Sequence, residues 1–376
     1  MVKNTSYLGI PGQDPVSHLA KLPRRDILLS GGYDYEKGAN EDRGIIIAGD
    51  TRILLSVADG VSRAYSKENP RWETLEFLNW NLGQKHSGGS LIAETLMRSL
   101  EKDFSSTETA IPVQLAKSAN VNIRHLLQEV DQFHDLGNDT HGTCGSVVSI
   151  GDTQIQGVSW GDTIVVILDS QGRPLYISYD ELEIYDARMD GILHDLCCQI
   201  AKNDYGIDDF DALPNGHPTK EEIRTKKIWG PFMPKLIASR QENINIHTDS
   251  FCEINETGYR LMNGQPIFEE LLERQHVHPL LQHRADFKAN EFTLDIPPDG
   301  CHIVLITDGM LTDYNRNLGR VSLGWELHKL IHALLEGDIS AAINYKRHRE
   351  DIKPDDYAAH KEATIIHAQV FPSRAA

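Results

Sequence analysis

The sequence predicts an α+β fold, with antiparallel strands at its centre and helices grouped apart from them. The first observation is the row of strand-like runs at 142–151, 153–160, 163–170 and 174–179. Links this short, including the Ser170-Gln171-Gly172 turn, leave no room for parallel crossovers. The second is that helical spacing comes in separate blocks. Leu75, Leu78 and Leu82, then Ile92, Leu96 and Leu100, then Leu115, Ala119, Ile123, Leu126, Val130 and Phe133 each fall on one face; two further helices follow at 323–335 and 339–349. The third is a repeated design. An apolar run ends on Asp59-Gly60, and another, 301–307, ends on Asp308-Gly309. One Asp-Gly is an ordinary strand-ending turn. Two of them suggest a shared site, because carboxylates from strands lying side by side would converge, and like charges coexist cheaply only around a cation. Carboxylate, carbonyl and water oxygens suit Mg²⁺ or Mn²⁺.

In chain order, residues 1–23 contain Gly, Pro and Ser without periodicity and are expected to form a loosely held arm. A short apolar run at 26–30 stops at Gly31-Gly32. After Lys37-Gly38-Ala39-Asn40-Glu41-Asp42-Arg43, residues 44–49 and 52–58 are expected to pair as a hairpin with Gly49-Asp50 at its turn. Between about 180 and 290 periodicity weakens while charge and proline increase, as expected of an insertion. A helix near 191–202, a hairpin within 244–262 and a helix near 267–274 can be placed there. Strands return at 292–296 and 301–307, and 363–370 closes the chain as a strand.

Composition narrows the function. A chain of 376 residues, 40% hydrophobic, can bury a large core. The formal charge of −18 repels phosphate backbones, which argues against nucleic acid as a partner. No stretch approaches the length of apolar sequence a membrane helix needs, so the expected location is cytoplasmic, with no membrane partner. Cys144, Cys197, Cys198, Cys252 and Cys301 are scattered without paired CxxC spacing, and read as reduced core residues.

Six segments then occur in a familiar order: Asn40-Glu41-Asp42, Val57-Ala58-Asp59-Gly60, His141-Gly142-Thr143-Cys144-Gly145-Ser146, Trp160-Gly161-Asp162-Thr163, Ile306-Thr307-Asp308-Gly309 and Asp355-Asp356. Together they resemble the metal-dependent serine/threonine protein phosphatases of the type 2C (PPM) family. The resemblance covers about 27–179 and 291–370. It implies a four-layer α/β/β/α sandwich, two central antiparallel sheets flanked by helices. The phosphatase domain would then span 24–376, interrupted by the insertion at about 180–290.

The resemblance also implies roles. Asp59 would bridge two Mg²⁺ or Mn²⁺ ions, with the Gly60 carbonyl binding one of them and Asp308 the other. Glu41 would act through a metal-held water and Asp42 would support the site. Asp139 and Asp313 would be candidates for a third, weaker metal. Water shared by the two ions would attack a phosphoserine or phosphothreonine monoester, so no nucleophilic cysteine is needed. The partner implied is a phosphoprotein, whose phosphorylation a serine/threonine kinase would supply.

This chain departs from that pattern in several places. Lys37 stands where many relatives have arginine, and it binds phosphate as a point charge instead of a fork. Val61 stands where some relatives have histidine, and Thr312-Asp313 replaces an acid at the first of these positions. The last metal-ligating acid has three candidates, ranked Asp355, then Asp356, then Glu362. The ungapped alignment would put Lys361 at the ligand position, where a cation is repelled by metal ions. The alternative to an enzyme is a pseudophosphatase, a binding or regulatory module that keeps the fold.

Overall fold

The computed structural model describes residues 4–9, 14–34, 41–61, 88–129, 142–161, 163–178, 194–214, 217–223, 227, 253–254, 260–261, 290–311, 322–347 and 362–374. Two six-stranded antiparallel sheets form its centre. The first has the order β1 (Asn4–Leu8), β4 (Arg43–Ala48), β5 (Ile53–Val61), β6 (Gly142–Ile150), β7 (Gln154–Trp160) and β12 (Asn290–Asp295). The second runs β2 (Val16–Lys21), β3 (Asp26–Asp34), β14 (Ala363–Val370), β13 (Cys301–Ile306), β8 (Ile164–Asp169) and β9 (Pro174–Ile177).

Side-chain alternation turns these sheets into four layers. Ile53, Leu55 and Val57 of β5 and Cys301, Ile303 and Leu305 of β13 meet in the core between the sheets. The opposite face of β5, with Leu54 and Ala58, packs on α1 (Gly88–Ser106) and α2 (Pro112–Glu129) through Leu96, Leu100, Leu115 and Ala119. Val304 and Ile306 of β13 face α5 (Ser322–Glu336) and α6 (Ile339–Arg347) through Leu330, Leu334 and Ile343. Central strands buried on both faces explain why 44–48 and 53–58 read as nearly continuous apolar runs. The expected hairpin is present: β4 pairs with β5, and the Gly49 amide donates to the Arg52 carbonyl at 2.9 Å. The Glu108 carboxylate, between α1 and α2, accepts from the Asp50 and Thr51 amides at 3.0 Å and pins that turn to the helices.

Several expectations need correction. Much of the 1–23 segment is not a loose arm: β1 pairs with β4 and β2 with β3, one at an edge of each sheet. Burial alternates along Val16–Lys21, but the residue types do not follow it: Leu19 lies on the exposed face and His18 on the more buried one, so the sequence shows no clear alternation. Gly31-Gly32 does not end a strand but lies inside β3. A side chain at Gly31 would come within 2.6 Å of Leu8 and one at Gly32 within 2.4 Å of Ile339, so both glycines permit close packing. Asp59-Gly60 also lies within its strand, opposite Cys144 and Thr143, instead of forming a turn. The two Asp-Gly strands are not side by side: β5 belongs to one sheet and β13 to the other, and they meet across the sandwich.

Of the insertion, a helix at 194–205 (α3), the short α4 (Pro218–Glu222) and a two-stranded hairpin, β10 (Glu253–Ile254) with β11 (Arg260–Leu261), are described. Leu196, Cys197, Ala201, Phe210 and Ile223 form a small core of their own. The expected helices near 75–82 and 267–274 lie outside the described residues. Cys144, Cys197 and Cys301 are free and buried and Cys198 is free and partly buried, while Cys252 lies outside the described residues. Among the described residues no helix is long and apolar enough to cross a membrane.

Candidate functional site

The site is built where strands from both sheets end at one end of the sandwich. Glu41 and Asp42 sit at the entry to β4. Thr307 follows β13 and Glu362 precedes β14, so the four residues come from opposite sheets. The Thr307 hydroxyl donates to Asp42 Oδ2 at 2.5 Å, across 265 residues of sequence. The same hydroxyl accepts from the Thr364 amide at 2.9 Å, and the Thr307 amide donates to the Thr364 carbonyl at 3.1 Å. Asp42 is thus buried, 1% exposed, and locked to the end of the β13–β14 pair. The Glu41 amide donates to Glu362 Oε2 at 2.5 Å, and the Asp42 amide reaches the same oxygen at 3.5 Å.

Both Asp-Gly segments border this junction. A Cβ on Gly60 would lie 2.9 Å from the Glu41 carbonyl and 2.6 Å from the backbone of Gly89. A Cβ on Gly309 would lie 1.8 Å from the Glu362 carbonyl, a space only glycine fits. Asp308-Gly309 opens a short 3₁₀ turn, Asp308–Leu311. Asp59 and Asp308 are both partly exposed. The Thr143 hydroxyl donates to the Asp59 carbonyl at 2.8 Å, and the buried Trp160 indole donates to the Thr143 carbonyl at 2.9 Å, fixing the strand that carries Asp59. Neither Thr307 nor Thr143 is singled out by sequence reasoning, although both lie within the segments that carried the resemblance. Ser146 and Ser149 are buried in β6, unlike an exposed nucleophile.

The electrostatics point to missing positive charge. Burial, followed by the negative charges of Asp42 and Glu41, pushes the Glu362 carboxyl up to about 8 against the opposing pull of the two backbone amides. Glu41 Oε1 is buried without a hydrogen-bond partner. Crowded carboxylates and an unpaired buried oxygen are hard donors of the kind Mg²⁺ or Mn²⁺ takes, so the donor chemistry fits such an ion. Among the described residues no three His, Cys, Asp or Glu side chains are gathered closely enough to hold one. Lys37, Asp139, Asp313, Asp355 and Asp356 lie outside the described residues. Glu362, the third-ranked candidate for the last acid, is among the described residues and lies against Glu41 and Asp42.

A pH dependence follows. In the folded chain Glu362 keeps its proton up to about 8, whereas an ordinary glutamate loses it near 4.5. Across that window the folded state binds more protons, so without divalent metal its stability is expected to fall as pH rises. Urea unfolding at intervals of pH in EDTA should show that slope for the wild type and a flatter profile for Glu362→Gln. Equal slopes would remove Glu362 from the cluster.

No family model matches the sequence, and no curated protein matches it. Solved structures of similar shape include RsbX in complex with magnesium, at 9% identity, TM-score 0.42, covering 94% of this chain and 100% of that one. The catalytic domain of the serine/threonine protein phosphatase PstP in complex with two manganese ions is 12% identical, with TM-score 0.43, covering 92% and 99%. Serine/threonine phosphatase Stp1 from Staphylococcus aureus is 12% identical, with TM-score 0.44, covering 90% and 94%. The second and third of these structures are serine/threonine phosphatases.

Proposed function

We propose that the chain is a metal-dependent phosphatase that removes phosphate from phosphoserine and phosphothreonine in proteins. The observation that carries this reading is the junction of Glu41 and Asp42 from one sheet with Thr307 and Glu362 from the other, bordered by both Asp-Gly segments. Asp59, the Gly60 carbonyl and Asp308 would hold two Mg²⁺ or Mn²⁺ ions, with Asp355 or Glu362 as the last acid and Asp139 and Asp313 available to a third. Bound there, the ions would supply positive charge to the phosphate oxygens and acidity to a water between them. Lys37 would bind the substrate phosphate. Thr307 fixes the Asp42 carboxyl group beside Glu41 in the chain, while Thr143 and Trp160 hold the Asp59 backbone.

The test is phosphate release from a phosphothreonine peptide with Mn²⁺ titrated, beside the diester bis(p-nitrophenyl) phosphate. Metal-stimulated hydrolysis of the monoester in preference to the diester is expected. Preference for the diester would contradict the reading. Absence of hydrolysis would favour the second reading, a pseudophosphatase, which Lys37 in place of arginine already favours.

The insertion is proposed to select the protein substrate, because a segment with its own small core on a rigid scaffold commonly has that task. Excision of residues 180–250 retains the β10–β11 hairpin, which touches β6. It should spare p-nitrophenyl phosphate hydrolysis and impair a phosphoprotein substrate. Equal loss on both, with the fold intact, would make the segment part of the catalytic site.

A further inference from the structure

The two sheets face each other across an apolar core that includes Val57, Leu305 and Ile366, and apolar contact has no preferred direction. Polar clasps join the sheets at both ends of the sandwich. At the end away from the site, the buried Arg25 donates from Nε to the Asp152 carbonyl at 2.8 Å, in the turn between β6 and β7 of the first sheet. From Nη1 it donates to the Phe371 carbonyl at 3.1 Å, just past β14 of the second. At the site end the Thr307 hydroxyl, after β13, donates to Asp42 Oδ2, before β4, at 2.5 Å. Its oxygen is taken by the Thr364 amide at 2.9 Å, so Asp42, Thr307 and Thr364 move together. Thr307 and Thr364 are fully buried and Asp42 nearly so, which strengthens both bonds.

We propose that the Thr307 hydroxyl is a positioning group for the metal centre, one that sets the spacing between the acid-bearing ends of the two sheets before any ion arrives. The inference rests on the metal-dependent reading above. Thr307 immediately precedes Asp308, and Asp42 immediately follows Glu41. Arg43 is paired with Ala58, so Asp42 enters its strand beside Asp59, and a Cβ on Gly60 would lie 2.9 Å from the Glu41 carbonyl. One hydrogen bond therefore lies one residue from Asp308 in the second sheet and next to Glu41 and Asp59 in the first. Without it, only apolar packing would fix how far apart these backbones stand at the site end, apart from the bonds of Glu362, itself a candidate ligand. With it, ion binding does not bear the cost of ordering the two strand ends. A threonine hydroxyl suits the task because it accepts and donates at once and carries no charge that an ion would repel.

The test combines calorimetric titration of Mn²⁺ into the full chain with amide hydrogen exchange of the metal-free wild type. Thr307→Val keeps the shape of the side chain and removes the hydroxyl; it should weaken Mn²⁺ binding about tenfold or more, and Thr307→Ser should restore most of the affinity. Arg25→Met opens the clasp at the other end, and should lower stability in urea while leaving Mn²⁺ affinity unchanged. In EDTA the wild-type Thr364 amide should exchange as slowly as the ladder amides of β14. Wild-type Mn²⁺ affinity in Thr307→Val would overturn the proposal while leaving the metal-dependent reading intact. An equal loss of affinity in Arg25→Met would also overturn it, since any loosening of the sandwich would then suffice. Fast exchange at Thr364 in EDTA would overturn it even if Thr307→Val failed to fold. A wild type that binds no Mn²⁺ would remove the metal-dependent reading and this inference with it.

Discussion

Asp59→Asn and Asp308→Asn are each expected to lower metal-stimulated phosphatase activity by about a thousandfold, because the charge the proposed ions bring to the reaction is worth several kcal/mol of barrier. An amide has the shape of the carboxylate but not its charge, so it cannot balance a dication. The fold should survive both changes. Asp59 and Asp308 are partly exposed at strand ends, and the cores of the sandwich lie elsewhere. Steady-state rates at saturating Mn²⁺, with circular dichroism and thermal unfolding alongside, check this. Near wild-type turnover in either variant would mean that the Asp-Gly segments are structural.

The second large effect is on stability. Asp34, at the end of β3 and opposite Ala363, accepts from Lys346 Nζ at 2.8 Å and from Arg347 Nε at 2.8 Å, tying the last turn of α6 to the strand beside Glu362. The Lys346 side chain is 1% exposed and that of Asp34 2%. Burial alone would raise the Asp34 carboxyl, but Arg347 and Lys346 hold it below the ordinary range. Asp34→Ala would leave a buried ammonium without its partner, and breaking such a pair costs about 3–5 kcal/mol. Asp34→Leu combined with Lys346→Met should recover most of that loss, because the uncompensated charge is gone and Arg347 reaches solvent. Denaturant unfolding of the single and double variants measures this; equal losses in both would show that the packing of α6 matters and the charge does not. A depressed carboxyl stabilises above its unfolded value, so this contribution should fade only as pH falls below about 4.

Much of the architecture is legible in the sequence because the central strands are buried on both faces. The runs at 44–48, 53–58 and 301–306 announce themselves, and Gly49-Asp50 marks the hairpin between the first two. Edge strands are harder to see, as Asn4–Leu8 and Val16–Lys21 show, since one strand edge and much of their side-chain surface face away from the core. Gly31-Gly32 misleads for another reason. Local propensity reads a pair of glycines as a break, but here Leu8 and Ile339 close in on them from other elements.

At the candidate site, the residue types and their order can be read from the chain, whereas their meeting cannot. Nothing local in Glu362 indicates that its carboxylate accepts from the Glu41 amide 321 residues away, and an alignment with its insertion ranks it behind Asp355 and Asp356. Thr307 is equally silent: a threonine at a strand end is commonplace until its hydroxyl is found on Asp42. Likewise, nothing along the chain shows that β5 and β13 lie in different sheets and meet across the sandwich.

Calorimetric titration of Mn²⁺ into the wild type, Asp59→Asn, Asp308→Asn and Glu362→Gln tests the central claim most directly, because it reads the carboxylate junction without requiring a substrate. The wild type is expected to bind two ions, with Asp59→Asn losing both, Asp308→Asn losing one and Glu362→Gln binding more weakly. A wild type that takes up no Mn²⁺, or variants that bind it as the wild type does, would contradict the account.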